Sequence, residues 1–174
     1  SRAPIKEAVI EIRTRASVPW NENEILPILK EQLIEYPEHH SNRGFASQLQ
    51  FAPGQEPKVA TQDLGWQGLQ FNSPDKKSIV KFQFDLFSFS RLEPYEDWEK
   101  FSNEALHLWN IHTQLSHPDL IERMGVRFIN RFPLPPNPKV SVSEYFRAYA
   151  DDLPELNLEL AGFLHHETML LPGY

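Results

Sequence analysis

The sequence predicts an α+β fold: one antiparallel sheet with helices packed on one face. Three observations point there. The strand-like segments alternate apolar and polar residues, as a sheet covered on one side requires; a doubly wound parallel sheet would be apolar on both faces. Two segments carry apolar residues at helical spacing, the longer one dense in aromatics. The connections are stiff, with 15 prolines against 7 glycines. A chain of 174 residues can bury enough apolar surface to need no staple, and cysteine is absent. That absence excludes disulfides, thiolate metal ligands and a cysteine nucleophile.

The elements follow in order. Ala8, Ile10 and Ile12 point one way and Val9, Glu11 and Arg13 the other, which is a strand with one buried face. Asn21 or Asn23 then caps a helix running to about Glu35. Pro27 sits in its first turn, where a missing N–H costs least, and Ile25, Leu26, Leu29, Leu33 and Tyr36 form its stripe. The polar stretch His39 to Pro57 holds a short strand, Ser47 to Phe51. Two longer runs, about Leu64–Asn72 and Ser78–Ser90, form an antiparallel hairpin across the turn between them. In the second run Val80, Phe82, Phe84 and Leu86 share a face, and Lys81, Gln83 and Asp85 the other. The phase breaks at Phe87 and Phe89; a bulge near Asp85–Phe87, or a bend at the sheet margin, would restore it.

The strongest helix is predicted from Pro94 to Leu115, with Trp98, Phe101, Ala105, Leu108, Trp109 and His112 on one stripe. Glu93 is its candidate cap, and Trp98, Phe101 and Trp109 should be largely buried against the sheet. Arg123 to Phe132 alternates again. Ser141 to Glu144 is a capping box ahead of Tyr145, Phe146 and Tyr149, and Leu158 to Leu171 reads as a last strand.

The order contains an echo. Ala8–Thr14, a proline-bearing loop and a capped helix are matched by Met124–Phe132, a proline-rich loop and a capped helix. One reading is a single domain over residues 1–174, incomplete at its C-terminus, with weaker units 1–118 and 119–174. The other is the ordinary recurrence of β-α-β in an α+β fold.

Charge narrows the function classes. The formal net charge of −7 argues against a general nucleic-acid coat, which needs a basic surface. No apolar run approaches the ~20 residues of a membrane span. Ser1 to Ile12 lack a signal peptide's basic start and apolar run, so the expectation is a cytoplasmic protein without membrane contact.

Period two puts Arg123, Arg127 and Arg131 on the helix-free face, with Lys81, Gln83, Asp85, Glu11 and Arg13. Three arginines in a row repel unless something answers them, and a guanidinium fork suits carboxylate or phosphate. Either this row binds an anionic group, or Arg127 forms a cross-strand pair with Glu11 or Asp85. Arg91, with Ser88 and Ser90, lies where strand turns to helix and can present cation and hydroxyls beside a helix N-terminus. The other reading of that segment is a helix entry.

The histidines form no predicted metal site. The pairs His39–His40 and His165–His166 are adjacent, and neighbours in regular structure point apart. Glu104 and His107 have the i, i+3 spacing of di-iron bundles without a second copy. Serine-nucleophile motifs, phosphate loops and dinucleotide fingerprints are absent, so no catalytic residue and no cofactor are expected.

Three segments carry a resemblance: Pro4-Ile5-Lys6-Glu7-Ala8 in the first strand; Phe89-Ser90-Arg91-Leu92 leading to Tyr95 and Trp98; and Gly125-Val126-Arg127-Phe128-Ile129-Asn130-Arg131. The chain resembles a sporadically distributed, uncharacterised bacterial family that opens with a Pro-Ile-Xaa-Glu-Ala strand. The likeness runs from Ala3 to about Phe132 and more loosely to Tyr174. Members of that family tend to run on further, which implies a longer chain. Its scattered distribution implies mobile or defence-related genomic islands. It carries over no activity and no catalytic residue.

Two functions are therefore expected in competition. The first is a non-enzymatic binding or interaction module using the uncovered sheet face, with a protein partner or self-association. The second is an enzyme or sensor acting on a phosphate-bearing small molecule or nucleotide, with the arginine row and Arg91 as anion clamps.

Overall fold

The computed structural model describes residues 4–16, 19–50 and 58–131. Contacts divide the chain into two units, Ser1–Arg131 and Phe132–Tyr174, and the fold below is that of the first. The predicted capping box at Ser141 and the strand Leu158 to Leu171 lie outside the described residues.

The elements are β1 (Ile5–Arg15), α1 (Glu22–Gln32), β2 (Glu38–Gln50), β3 (Lys58–Asn72), β4 (Ser78–Phe82), β5 (Leu86–Leu92), α2 (Trp98–Ser116) and β6 (Leu120–Asn130). The strands form one sheet in the order β2-β3-β4-β5-β1-β6, and every neighbouring pair is antiparallel. The α+β architecture is thus as predicted. After β1, α1 carries the chain to the far edge of the sheet. Four strands meander back, and α2 then crosses over to set β6 on the other flank of β1.

Directly opposed residues share a face, so the register identifies the covered side. Ile12 faces Phe87, Phe87 faces Phe82, and Phe82 faces Leu69; one step along, Val80 lies between Phe89 and Phe71. Ala8, Ile12 and the other six of these strand residues are buried. Against them pack Ile25 and Leu29 of α1, then Leu33 and Tyr36, and from α2 Phe101, Ala105, Leu108 and Ile111. Phe82 holds the middle, with its ring edge-on to Phe71 at 6.2 Å and to Phe87 at 5.9 Å between centroids.

The phase break after Asp85 has a simpler cause than a bulge. The chain reverses there. The Gln83 N–H donates to the Leu86 carbonyl over 2.9 Å, closing a tight turn with Phe84 and Asp85 at its tip. Val80 and Phe82 run into the turn and Phe87 and Phe89 run out of it, so both pairs point to the core. The single predicted run Ser78–Ser90 is therefore two strands, and Gln83 and Asp85 belong to a turn rather than to a sheet face. A second correction concerns β2. It spans Glu38–Gln50, far more than the short strand expected, and its polarity reflects an edge position: Phe45 and, on β3, Leu64 stand exposed.

The helix starts are set by side-chain oxygens. The Asn21 carboxamide accepts from the Asn23 N–H at 3.0 Å, so Asn21 caps α1. For α2 the cap is Asp97, not Glu93: its carboxylate accepts from the Lys100 N–H at 2.8 Å, and Pro94 lies outside the helix. Asp97→Ala is expected to cost about 1 kcal/mol in urea melts, and Asp97→Asn much less, because the asparagine oxygen still reaches the first-turn N–H.

On α2, His112 is fully buried. Its Nε2 lies 2.8 Å from the Gln83 carbonyl oxygen. A carbonyl only accepts, so Nε2 carries the proton and Nδ1 faces the Ser116 hydroxyl, 3.2 Å away. Thus α2 is pinned to the β4–β5 turn. Burial pulls the His112 pKa down to about 4, against the opposing pull of the Gln83 hydrogen bond.

Trp98 departs from its predicted place. It is 50 % exposed, and Trp109 is only partly buried. The helix lies over β5, and the flank bearing these two indoles overhangs β6, where no further helix of the described residues packs.

Candidate functional site

The helix-free face can be read off the register row by row. Across the middle, His40, Gln70, Lys81, Ser88, Glu11 and Gly125 stand opposite one another on the six strands. To one side the row ends in Ser90, Val9 and Arg127. To the other it ends in Leu86, Arg13 and Arg123. Three arginines from two adjacent strands therefore surround Glu11 and Gly125. A Cβ placed on Gly125 would meet no atom within 4 Å, so the floor between them is open.

The cross-strand pairing considered for Arg127 does not form. Arg127 faces Val9, and Glu11 faces Gly125, so alternation keeps guanidinium and carboxylate out of line. Asp85 is at the turn. Among the described residues the ion pairs are Lys6–Glu93, Arg15–Glu122, Arg43–Asp63, Lys76–Glu38, Arg91–Asp75 and Lys100–Glu96. Arg13, Arg123 and Arg127 enter none of them. Arg13 and Arg123 even stand directly opposite each other, an arrangement that costs free energy unless an anion answers it.

The remaining predicted residues disperse. Arg131 follows β6 beyond the register shift at Ile5/Glu7, and its N–H donates to the Pro4 carbonyl. Its charge acts on Glu93, whose carboxyl is held below the usual range chiefly by a hydrogen bond from Lys6. Lys81 is on the helix-free face, three strands from Arg127. Ser88 and Ser90 are on that face too, but alternation turns Arg91 to the other side, opposite Ala8.

Arg91 instead donates through Nη1 to Ser78 Oγ at 2.8 Å and lies 3.8 Å from Asp75. It lines a cavity of about 300 Å³ between sheet and α2. Five carboxylates (Glu35, Asp75, Glu96, Asp97 and Glu104) surround that cavity against two cations, Arg91 and Lys100. Tyr36 donates to Glu104 there, and burial, then that bond, push its phenol above the usual range. Such a lining repels anions, so Arg91 is no part of an anion clamp with Arg127.

Arg13 completes the cluster, and periodicity alone put it on this face; its position opposite Arg123 needs the register. His40 was missed because its part of β2 read as a polar loop, and Gln70, although on a predicted strand, was not assigned to this face. Among the described residues no group of three or more histidines and carboxylates could hold a metal ion, and no helix is long and apolar enough to cross a membrane. Comparisons with protein families, with curated proteins and with solved structures found no match.

Proposed function

We propose that this chain is a non-enzymatic binding module of a bacterial cytoplasmic protein, and that it holds an anionic partner on the helix-free face of its sheet. One observation carries the reading: Arg123 and Arg127 flank Gly125 on β6, Arg13 stands opposite Arg123, and none of the three enters an ion pair among the described residues. Neighbouring guanidiniums on one face gain from carboxylate or phosphate, which accept two parallel hydrogen bonds. The partner is a protein, in keeping with a broad open face. An enzyme or sensor for a phosphate-bearing small molecule would want a pocket over the arginines, and none of the three cavities described is lined by Arg123, Arg127 or Arg131. The bacterial setting, and a place on mobile or defence-related islands, rest on the family resemblance of the Pro4–Ala8, Phe89–Trp98 and Gly125–Arg131 segments.

Thermal melts of the wild type and Arg127→Ala, with and without phosphate, sulfate and nucleotides, test the reading. The wild type should gain a salt-sensitive rise in Tm with at least one anion. Arg127→Ala should lose most of that rise while its own stability stays within about 0.5 kcal/mol of wild type. A variant that melts early, with no anion shift in either protein, would sink the proposal.

A further inference from the structure

The fold leaves a second surface open beside the arginines. Met124, Val126 and Phe128 lie on the helix side of β6, opposite Ile12, Ile10 and Ala8. Yet Met124 is 67 % and Val126 51 % exposed. Trp98, Leu106 and Trp109 of α2 form the facing wall of an apolar cleft of about 390 Å³. Along the same strand the outer N–H and C=O groups meet no neighbour among the described residues, because β6 ends the sheet. Edge strands are commonly guarded by proline or lysine, and Leu120 to Asn130 contains neither.

A strand laid on this edge would meet two opposite demands. On the helix side it would find the apolar cleft. On the other it would find Arg123 and Arg127. Successive side chains of a strand point to opposite faces, so only an alternating sequence satisfies both. Charge decides the sign. A second copy of β6 would bring arginines against arginines, and like charges directly opposed repel. We propose that β6 takes up an added β-strand from a partner protein in which apolar and acidic residues alternate. Its apolar side chains fill the cleft between α2 and β6, and its carboxylates pair with Arg123 and Arg127. This rests on the reading of those arginines as anion-binding, and it names the partner's chemistry.

The probe is a capped peptide of about eight residues, alternating Ile and Glu, with alternate amides N-methylated along one edge so that it cannot stack on itself. One control has the same composition in two blocks; another alternates Ile and Lys. Binding to the whole chain is read by anisotropy of a label, and the β6 amides by hydrogen exchange. The alternating Ile/Glu peptide should bind at least about tenfold more tightly than either control, weaken with salt, and slow exchange along β6. The double variant R123E/R127E should transfer the preference to the Ile/Lys peptide. Equal binding of the alternating and blocked peptides, or β6 amides that exchange at the same rate with and without peptide, overturns the proposal. If phosphate or sulfate still shifts the wild-type Tm but not that of Arg127→Ala while no peptide binds, strand docking alone fails. If the anion shift is also missing, the anion-binding reading fails with it.

Discussion

Phe82→Ala is expected to destabilise the protein by about 3–5 kcal/mol, the usual range for removing a buried aromatic ring. Phe82 is fully buried, and its ring touches those of Phe71, Phe87 and His112. The cavity left behind would be walled by strands on three sides and by α2, none of which can collapse without breaking the ladder or the His112 bond to the turn. Phe82→Leu, which keeps most of the volume, should cost less than half as much. Denaturant melts with unchanged m-values would measure both. A loss below about 1 kcal/mol would mean that α2 does not close on this part of the sheet.

The second large effect is one of pH. His112 keeps its neutral form down to about pH 4 in the fold, while the same imidazole in the unfolded chain takes its proton at 6.5. Between those values the unfolded chain binds more protons. Stability contributed by the neutral ring is therefore complete above pH 6.5 and is lost as pH falls toward about 4. At 1.36 kcal/mol per pKa unit the loss is about 3 kcal/mol. His112→Gln should be less stable at neutral pH and should lack this slope. Carboxylates held low, such as Glu93 and Asp75, act in a separate window, losing their contribution only as the pH falls through their depressed values. Stability measured against pH for the two proteins distinguishes them: parallel curves between pH 6.5 and 4 would remove His112 as the cause.

Much of this was legible in the residues. The alternation of Ala8, Ile10 and Ile12 and the stripes Ile25–Leu29 and Phe101–Ala105–Leu108–His112 identify the core face directly. Two kinds of information were not there. A reversal and a bulge both slip a period-two pattern by one, and Gln83 to Leu86 carries no glycine or proline to mark the turn. Nor does a helical stripe say how far its sheet extends. Trp98 and Trp109 share the apolar stripe of α2, but the helix overhangs an edge strand on their side, so the same pattern yields a buried Phe101 and an exposed Trp98. The arginine row came from period two alone. Whether it was neutralised depended on register, which places Gly125 rather than Arg127 opposite Glu11.

The place of β1 in the sheet has a consequence for how the chain comes together. Of the six described strands it is the first in chain order, and it lies between the last two, β5 and β6. Glu7 pairs with Leu92 and Arg13 with Arg123, so β1 waits for partners made about 85 to 110 residues later. The β2–β5 meander can zip locally in the meantime, whereas the closing pairs bear the entropy of the longest loops, which slows assembly toward the pace of all-β domains. Until β5 and then β6 arrive, the apolar face of β1 has no ladder to join, and a nascent chain stalled before Leu92 presents Ala8, Ile10 and Ile12 to whatever strand it meets first.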